Sequence, residues 1–424
     1  MGLGLQGRGV GDVEFLASCG AEVLVTDKKT ESELADSVER LKKFPNVTFH
    51  LGGHHEKDFT SCDMVLKAAG VPLDSPYIGA ARAAGVPIAM STALFAKYAM
   101  EEDATVVGIT GTRGKSTVTQ MIYDALKASG KENLMLGGNV RGVSTLAMLP
   151  EVTADTVAIL ELDSWQLQGF GDLEISPNIS VFTNLMADHQ NYYVSEEQYF
   201  ADKANIFRYQ QGQDVIIAGA SILSRISETK PRGKIAVSSS LPADWNLKIP
   251  GEHNRENAAL AAEALRALKL SDAEIRAGLE SFEGVEGRLQ FVREINGVKI
   301  YNDNNATTPE ATVAALRALD TGKDNINLIA GGADKGLDLS ELVAEIERTC
   351  EGVFLLGGTG TIRLHEELPA AKMFESLQLA FEAALAAANP GSILLFSPAF
   401  ASFGMFKNEY DRNDQFLQIV KSII

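Results

Sequence analysis

The sequence predicts an α/β protein of three domains, and two observations support this. Segments typical of buried strands alternate with segments of helical periodicity along all 424 residues, which favours parallel sheets covered by helices. The acidic stretch "MEEDA" before a new strand, "TVVGI", and the segment "VEGRLQFVREINGVKIYND" mark the boundaries. We therefore expect domains at residues 1–99, 100–284 and 285–424.

Composition narrows the class of partner. Hydrophobic residues make up 45% and charged residues 22% of the chain, as in ordinary soluble proteins. The net charge of −18 argues against nucleic-acid and anionic-membrane partners, because there is no basic excess to neutralise phosphates. The three cysteines are far apart and form no CxxC pair, and no apolar run reaches about 18 residues. We expect a cytoplasmic protein without a membrane segment.

The first domain shows a dinucleotide-type pattern. "GLGLQG" at residues 2–7 is a G-x-G-x-x-G motif, and the strand "EVLVTD" ends at Asp27, roughly 20 residues further on, as in Rossmann-like folds. Such a motif normally follows a strand, but only Met1 precedes it. Either the first strand is missing or the start lies upstream, and a plain tight turn also explains the motif.

The second domain begins with a candidate phosphate loop. In "TVVGITGTRGKST" a buried strand leads into a glycine turn and then into a helix. Backbone N–H groups in such a turn bind anions, a lysine reaches the terminal phosphates and a hydroxyl can bind Mg²⁺. The residues expected to bind a nucleoside triphosphate in this P-loop-type domain with a parallel sheet are Gly111, Thr112, Arg113, Gly114, Lys115, Ser116 and Thr117.

Three further side chains follow at or after strand ends. Glu161 ends the strand "VAILEL", where open sheets place ligand contacts. His189 follows "ISVFTNL", and Lys203 lies in "YFADKANIF". Taken singly, each also fits a structural role, as a strand-end charge, a structural histidine or a solvated helix lysine.

The order of motifs changes this interpretation. T-G-[ST]-x-G-K-[ST] matches residues 110–116, and "GGN" at 137–139, E-L-x-S-x-Q-L at 161–167 and N-x-x-x-D-H at 184–189 follow. "GEHNRENAALA", "GRLQ", "NDNNATT", "GGADKG" and "SPAFASFGMFKN" complete the series. With these motifs the sequence resembles the Mur peptide ligases over nearly the whole chain. The resemblance implies a Rossmann-like first domain that binds a UDP-sugar, a central ATP domain and a Rossmann-like third domain that binds an amino acid.

The resemblance also assigns roles to residues. It implies ATP and two Mg²⁺ ions as cofactors, with Lys203 carbamylated so that it offers an anionic oxygen to metal. The metal ligands would be Ser116, Glu161, His189 and Lys203, and the catalytic residues Lys115, His189, Lys203 and Arg288. Asn254 would contact adenine, and Arg288 and Asp303 the ATP phosphate and ribose. The substrate-binding residues would be Leu5, Gln6, Asp27, Asn139, Thr307, Lys335, Ser402 and Phe406. Alternatives are a helix cap for Asn254, surface charges for Arg288 and Asp303, and loop or core filling for the last four.

The implied activity is ATP-dependent carboxylate–amine ligation. UDP-N-acetylmuramoyl-L-alanine would form an acyl phosphate, and D-glutamate would then displace phosphate, giving ADP and phosphate in peptidoglycan synthesis, a step of cell wall biogenesis on which cell shape and division depend. Both substrates are small molecules, and we expect a monomer. A site shared by three closing domains would exclude water from the acyl phosphate.

The sequence departs from the family pattern at three places. Asn305 stands where the family has a lysine, Ala68-Ala69-Gly70 replaces Ser-Pro-Gly, and Asp163 and Trp165 replace serine and phenylalanine. Asp163 would either strengthen metal binding beside Glu161 or face away. These departures leave open a family ligase for another amino acid or UDP-linked carboxylate, and a catalytically impaired nucleotide-binding relative. The GLGLQG motif and Asp27 leave open a dinucleotide-dependent oxidoreductase.

Overall fold

The computed structural model describes residues 1–4, 7–72, 74–140, 142, 144–186 and 192–423. It divides into two compact units, Met1–Leu241 with Glu256–Leu279, and Pro242–Arg255 with Glu280–Ile424. Both contain parallel strands and helices, so the predicted α/β class is confirmed. Over these described residues, no helix is both long and apolar enough to cross a bilayer.

The first unit contains most of the helices and strands. In chain order they are α1 Arg8–Ser18, β1 Val23–Asp27, α2 Ala35–Leu41, β2 Val47–Leu51, α3 Lys57–Thr60, β3 Val65–Leu66, α4 Pro76–Ala83, β4 Ile88–Ala89, α5 Ser91–Glu101, β5 Thr105–Thr110, α6 Lys115–Ala128, β6 Leu134–Gly138, a 3₁₀ helix Leu146–Glu151, β7 Val157–Glu161, α7 Ser164–Asp172, β8 Ile179–Phe182, α8 Glu196–Arg208, β9 Val215–Ala218, α9 Leu223–Glu228 and β10 Lys234–Val237. The division between the units runs through α10 Glu252–Ala267 and the end of α11 Asp272–Ser281.

The central feature of the first unit is a parallel sheet. Within the described chain, six strands pair in the order β10-β9-β8-β5-β7-β6, all in parallel. Phe95 of α5, Val106 of β5 and Phe170 of α7 are fully buried in one cluster on this sheet. Burial of each such side chain contributes about 1.5–3 kcal/mol. This packing fixes β5 between β7 and β8, and hence the position of the loop that follows it.

Two smaller parallel pairs form the N-terminal part. β1 pairs with β2, and β3 pairs with β4. The Met1 amino group donates to the Leu66 carbonyl over 2.9 Å, and the Gly2 amide donates to the Thr26 carbonyl over 2.8 Å. The first two residues are therefore bonded to both β1 and β3.

The second unit has its own sheet. Its elements are β11 Gln290–Ile295, β12 Val298–Asn302, α12 Pro309–Leu319, β13 Ile326–Ala330, α13 Ser340–Thr349, β14 Cys350–Leu356, α14 Thr359–Glu367, β15 Lys372–Phe374, α15 Leu377–Ala387, β16 Ile393–Phe396 and α16 Glu409–Ser422. In the described part of the chain, six strands pair in the order β11-β12-β16-β13-β14-β15. Apolar clusters cover both faces.

One strand of this second sheet runs against the others. β11 is antiparallel to β12, whereas the remaining pairs are parallel. The turn between them consists of Asn296 at φ 53° and Gly297 at φ 80°. An Asn-Gly pair favours this two-residue hairpin, because both positions need positive φ. The sheet is therefore mixed rather than purely parallel.

Candidate active site

The glycine loop lies between β5 and α6 and depends on two glycines. Gly111 has φ 142° and Gly114 has φ 83°. A Cβ at Gly111 would lie 1.9 Å from Thr183 Oγ1, and one at Gly114 would lie 2.3 Å from Asn257 Oδ1. Neither position can hold a larger residue without displacing a neighbour, so the close approach of these segments requires glycine.

The segment that follows β8 supports the loop. The Asn184 side-chain oxygen accepts from the Arg113 amide over 2.9 Å, and the Thr183 hydroxyl donates to the Arg113 carbonyl over 2.6 Å. The Thr112 hydroxyl also donates to the Met186 carbonyl over 3.2 Å. These bonds leave the loop in a defined conformation before a ligand arrives, and they give the "NLM" segment a bracing role.

Two lysines converge on the loop. Lys115 Nζ donates to the carbonyls of Gly111 and Thr112, each over 3.1 Å. Lys203 Nζ donates to the same Gly111 carbonyl over 2.9 Å and lies 4.7 Å from the centre of the Tyr199 ring. Lys203 is only 1% exposed, so α8 brings a buried amine to the base of the loop. A polyanion held by the loop would meet both cations.

Glu161 lies at the same sheet edge as the loop. It ends β7, pairs with Ile109 on one side and Gly138 on the other, and is 5% exposed. Asn139 donates from its amide to the Glu161 carbonyl over 2.7 Å, and its side-chain nitrogen lies 3.5 Å from Glu161 Oε1. Arg8 of α1 donates to Asn139 Oδ1 over 3.1 Å. Oxygen donors such as the Glu161 carboxylate at the end of β7 and the Ser116 hydroxyl in the first turn of α6 suit Mg²⁺.

Asp163 has a local role. Its side chain accepts from the Gln166 amide over 2.7 Å, and the Gln166 side chain accepts from the Asp163 amide over 3.3 Å. This reciprocal pair is a capping box at the start of α7. The carboxylate is thus engaged by the helix end, and the position that departs from the family pattern works as a helix cap.

The Asp27 carboxylate organises the end of β1. It accepts from the Lys29 amide over 2.9 Å and from the Gly4 amide over 3.2 Å, and it is 7% exposed. Leu5, Gln6 and His189 lie outside the described residues. Asp27 is therefore bonded to Gly4, near the start of the glycine-rich segment.

In the second unit, three loops meet at the carboxyl ends of β12, β16 and β13. Lys335 Nζ donates to the Thr307 hydroxyl over 3.1 Å. Ala333 and Ala401 exchange backbone hydrogen bonds over 2.9 and 3.2 Å, which brings the Lys335 loop to the segment containing Ser402. Phe406 returns to the same segment, because its amide donates to the Ser402 carbonyl over 3.4 Å. All four residues predicted to line the amino-acid pocket therefore lie on this loop cluster.

Asp303 is the buried acid of this cluster. Its carboxylate accepts from the Leu289 amide over 2.9 Å and from the Ser397 hydroxyl over 2.8 Å. Burial raises the pKa of Asp303 to about 7, although its two hydrogen bonds and the charge of Arg288 oppose the shift. In the same unit the Asn254 side chain donates to the Pro250 carbonyl over 2.6 Å, at the start of α10.

The sequence motifs did not indicate Arg412. It is fully buried on α16 and donates to Asn304 Oδ1 and to the Asn304 carbonyl, both over 2.8 Å, and to the Phe400 carbonyl over 3.2 Å. Burial lowers the pKa of Arg412 to about 10. The sequence feature that could have indicated the burial of Arg412 is its position four residues before Phe416, on the same face of the helix. Arg412 fixes the loop that carries Asn305 and Thr307.

Three family models match successive parts of the chain. The chain matches the Mur ligase MurD-like N-terminal domain over residues 1–90, the Mur ligase middle domain over 109–227 and the Mur ligase glutamate ligase domain over 287–400. The chain belongs to the Mur ligase family.

Particular relatives cover it from end to end. The UDP-N-acetylmuramoylalanine–D-glutamate ligase of Roseiflexus sp. (strain RS-1) is 35% identical over 463 residues, covering 100% of this chain and 97% of that relative. The enzyme of the same name from Geobacillus kaustophilus is 32% identical, covering 99% and 97%.

Solved structures agree at the level of the fold. UDP-N-acetylmuramate-alanine ligase MurC from Thermotoga maritima superposes with a TM-score of 0.63 at 19% identity, covering 99% of this chain and 98% of that one. FolC from E. coli, solved in complex with ADP, gives 0.59 at 19% identity, covering 78% and 93%.

Proposed function

We propose that this protein is the ligase that adds D-glutamate to UDP-N-acetylmuramoyl-L-alanine, using ATP through an acyl phosphate and releasing ADP and phosphate. The observation that carries the proposal is the full-length similarity, at 31–35% identity, to ligases of that name. The arrangement of Lys115, Glu161 and Lys203 at one sheet edge supports it. Because the chain belongs to the Mur ligase family, the glycine-rich N-terminal motif no longer requires an oxidoreductase to explain it.

The first unit performs the phosphate chemistry in this proposal. Backbone N–H groups of Gly114 and the start of α6 bind the triphosphate, while Gly111, Thr112 and Arg113 shape the loop around it, the last two through amides that donate to Asn184. Lys115 leaves its carbonyl partners for the terminal phosphates. A substrate carboxylate oxygen attacks the γ-phosphorus, the bond to the β-phosphate oxygen breaks and ADP leaves. Two anions must approach each other in that step, and the cations at the loop offset their repulsion.

We propose that two Mg²⁺ ions act here, held by Ser116, Glu161, His189 and a carbamylated Lys203. Bound Mg²⁺ would supply charge neutralisation and alignment of the phosphates. The oxygen donors of Ser116 and Glu161 fit that ion, and a carbamate on Lys203 would add an anionic oxygen where an ammonium would repel the metal. Asn139, bonded to Arg8 and Glu161, would position the substrate.

The second unit supplies the amino acid in this proposal. Lys335 and Thr307 receive a carboxylate of D-glutamate, with Ser402 and Phe406 on the neighbouring loop. The amine attacks the acyl carbonyl, the carbon–oxygen bond to phosphate breaks, and the amine loses a proton. Arg288, Asp303 and Asn254 would contact ATP, and Leu5, Gln6 and Asp27 the UDP-linked substrate. We further propose three domains, 1–99, 100–284 and 285–424, in a cytoplasmic monomer without nucleic-acid or membrane partners.

The test is phosphate release with ATP, UDP-N-acetylmuramoyl-L-alanine and a panel of D- and L-amino acids, with the product identified by mass. We expect release that depends on D-glutamate. Release only with a different amino acid would change the assigned specificity. This outcome matters because Asn305 stands where the family has a lysine. ATP binding without any substrate-stimulated release would identify an impaired relative.

A lysine substitution tests the nucleotide site itself. Lys115→Ala should lower turnover by about 10³-fold, because it removes a cation that faces the transferred phosphate. Lys127→Ala, an exposed lysine in the last turn of the same helix, is the matched control and should retain wild-type turnover. Retained turnover in Lys115→Ala would contradict the site.

A further inference from the structure

Three of the six histidines of the chain lie within residues 50–55. His54 points into the N-terminal part, where its ring lies 5.1 Å from that of Tyr77 and its Nδ1 lies 3.0 Å from Thr26 Oγ1. His50 and His55 are exposed, at 44% and 71% of their side chains. The proposed ligase reaction does not use these two side chains.

His50 and His55 share a carboxylate. His50 Nδ1 lies 2.8 Å from Asp58 Oδ2, and His55 Nδ1 lies 4.0 Å from the same oxygen. One ligand atom from each of the three residues lies within 4.8 Å of the others. In a tetrahedral zinc site with bonds of 2.0–2.1 Å, ligand atoms are separated by about 3.3 Å. The distances from Asp58 Oδ2 to the two imidazole nitrogens, 2.8 and 4.0 Å, lie on either side of this value.

The backbone holds these ligands in place without a metal. His50 is on β2, on the face opposite to the inward-facing Phe49 and Leu51. The Asp58 amide donates to the His55 carbonyl over 3.0 Å, which fixes the turn between the second and third ligands. The Gly53 amide donates to the Asp27 carbonyl over 3.1 Å, so the connecting loop is tied to β1. Small side-chain rotations would then complete the coordination.

We propose that His50, His55 and Asp58 form a binding site for a divalent transition metal of the zinc class. Two imidazole nitrogens and one carboxylate oxygen suit Zn²⁺, Ni²⁺ and Cu²⁺, whereas Mg²⁺ and Ca²⁺ prefer oxygen donors alone. Three protein ligands leave a fourth position for water. A metal here links β2 to α3 and braces the loop that is bonded to Asp27.

The experiment uses the full chain after treatment with a chelator. Co²⁺ and then Zn²⁺ are titrated, with visible absorption reporting Co²⁺ coordination and calorimetry reporting Zn²⁺ affinity and stoichiometry. The variant His55→Ala is the most informative, because His55 is largely exposed and we expect its removal to leave the fold intact. We expect His55→Ala to bind one equivalent of Zn²⁺ fewer, or to bind it on the order of 10²-fold more weakly, than wild type.

Two further variants complete the design. Asp58→Asn should abolish the Co²⁺ absorption of this site, while His365→Ala, in the second unit, should leave stoichiometry and affinity unchanged. Any other metal bound by the chain is common to all variants and cancels in the comparison. Identical Zn²⁺ binding by wild type and His55→Ala would overturn the proposal and leave His50 and Asp58 as an ordinary ion pair. Ligase activity is not the readout, so failure of the proposed function would not produce that result.

Discussion

In the first unit the side chain buried beneath the glycine loop is a cation, Lys203. In the second unit the end of β12 carries a buried acid, Asp303, and a buried cation, Arg412, is bonded to the next residue, Asn304. Lys203 is 1% exposed and is bonded to a loop carbonyl, and Lys115 is bonded to the same carbonyl. In the second unit Lys335 is exposed and donates to the Thr307 hydroxyl. The first region therefore has two cations at the loop before a polyanion binds, while in the second region the buried charges have both signs and Lys335 lies on a solvent-facing loop.

Within this comparison of the two regions, the largest expected effect comes from changing the buried lysine, Lys203. If Lys203 acts as a carbamate, removing dissolved CO₂ should lower turnover on the order of tenfold, and bicarbonate should restore it. Lys203→Met should stay folded, because an apolar side chain fits the buried site, but lose turnover by about 10²–10³-fold. Phosphate release and thermal unfolding measure both. If turnover did not change when CO₂ was removed, and Lys203→Met remained active, Lys203 would have no special role and the contrast between the two regions would be lost.

Gly114 and Gly130 flank the two ends of α6 and form a matched pair for substitution. Gly130 at φ 80° has no atom within 4 Å of an added Cβ, whereas a Cβ at Gly114 would lie 2.3 Å from Asn257 Oδ1. Gly130→Ala should lower the free energy of unfolding by about 1 kcal/mol, through left-handed strain alone. Gly114→Ala should cost roughly 1–3 kcal/mol more and raise KM for ATP, because packing is also displaced. Urea unfolding checks this, and equal losses would show that the loop tolerates the clash.

The buried Asp303 of the second unit predicts that the free energy of unfolding depends on pH. The folded pKa of Asp303 is raised to about 7, so its protonated form is the one that folding favours. Its stabilising contribution is therefore complete below the unfolded pKa of about 4 and is lost as the pH rises through about 7. In Asp303→Asn the amide oxygen can still accept from the Leu289 amide, and Nδ2 can donate to the Ser397 hydroxyl in place of the bond that Asp303 accepts. The substitution should flatten this part of the stability curve, by at most roughly 4 kcal/mol. Denaturant unfolding from pH 4 to 8 measures it, and parallel curves for both proteins would contradict it.

The smallest effect concerns the helix cap at Asp163. Asp163→Ala should lower the free energy of unfolding by about 1 kcal/mol, with turnover retained, because the carboxylate caps α7. Ser195→Ala, which removes the cap of α8, is the control and should lose a similar amount of stability. If Asp163→Ala lost most of its turnover while its free energy of unfolding was unchanged, Asp163 would instead be assigned to the metal site.

Local patterns were sufficient for most of the fold. The apolar segments 105–110 and 157–161 form strands, and the glycine turn after the first of them lies between a strand and a helix, as the sequence indicated. The Asn-Gly hairpin and the capping box of Asp163 were also readable, since both are set by interactions within four residues. Neither signal entered the predictions made from the sequence, so the antiparallel β11 was missed and the role of Asp163 stayed open.

The sequence by itself determined the order of strands, glycine turns and helices, because short-range sterics and apolar periodicity control them. Only the tertiary structure decided that Lys203 is buried against the Gly111 carbonyl, that Arg8 reaches Asn139, and that Arg412 holds Asn304. Each of these contacts joins residues about 90 to 130 positions apart in sequence, namely 92, 131 and 108. A single charged residue in a helix has the same local signature whether it is solvated or buried, so its partner emerges only when distant segments pack together.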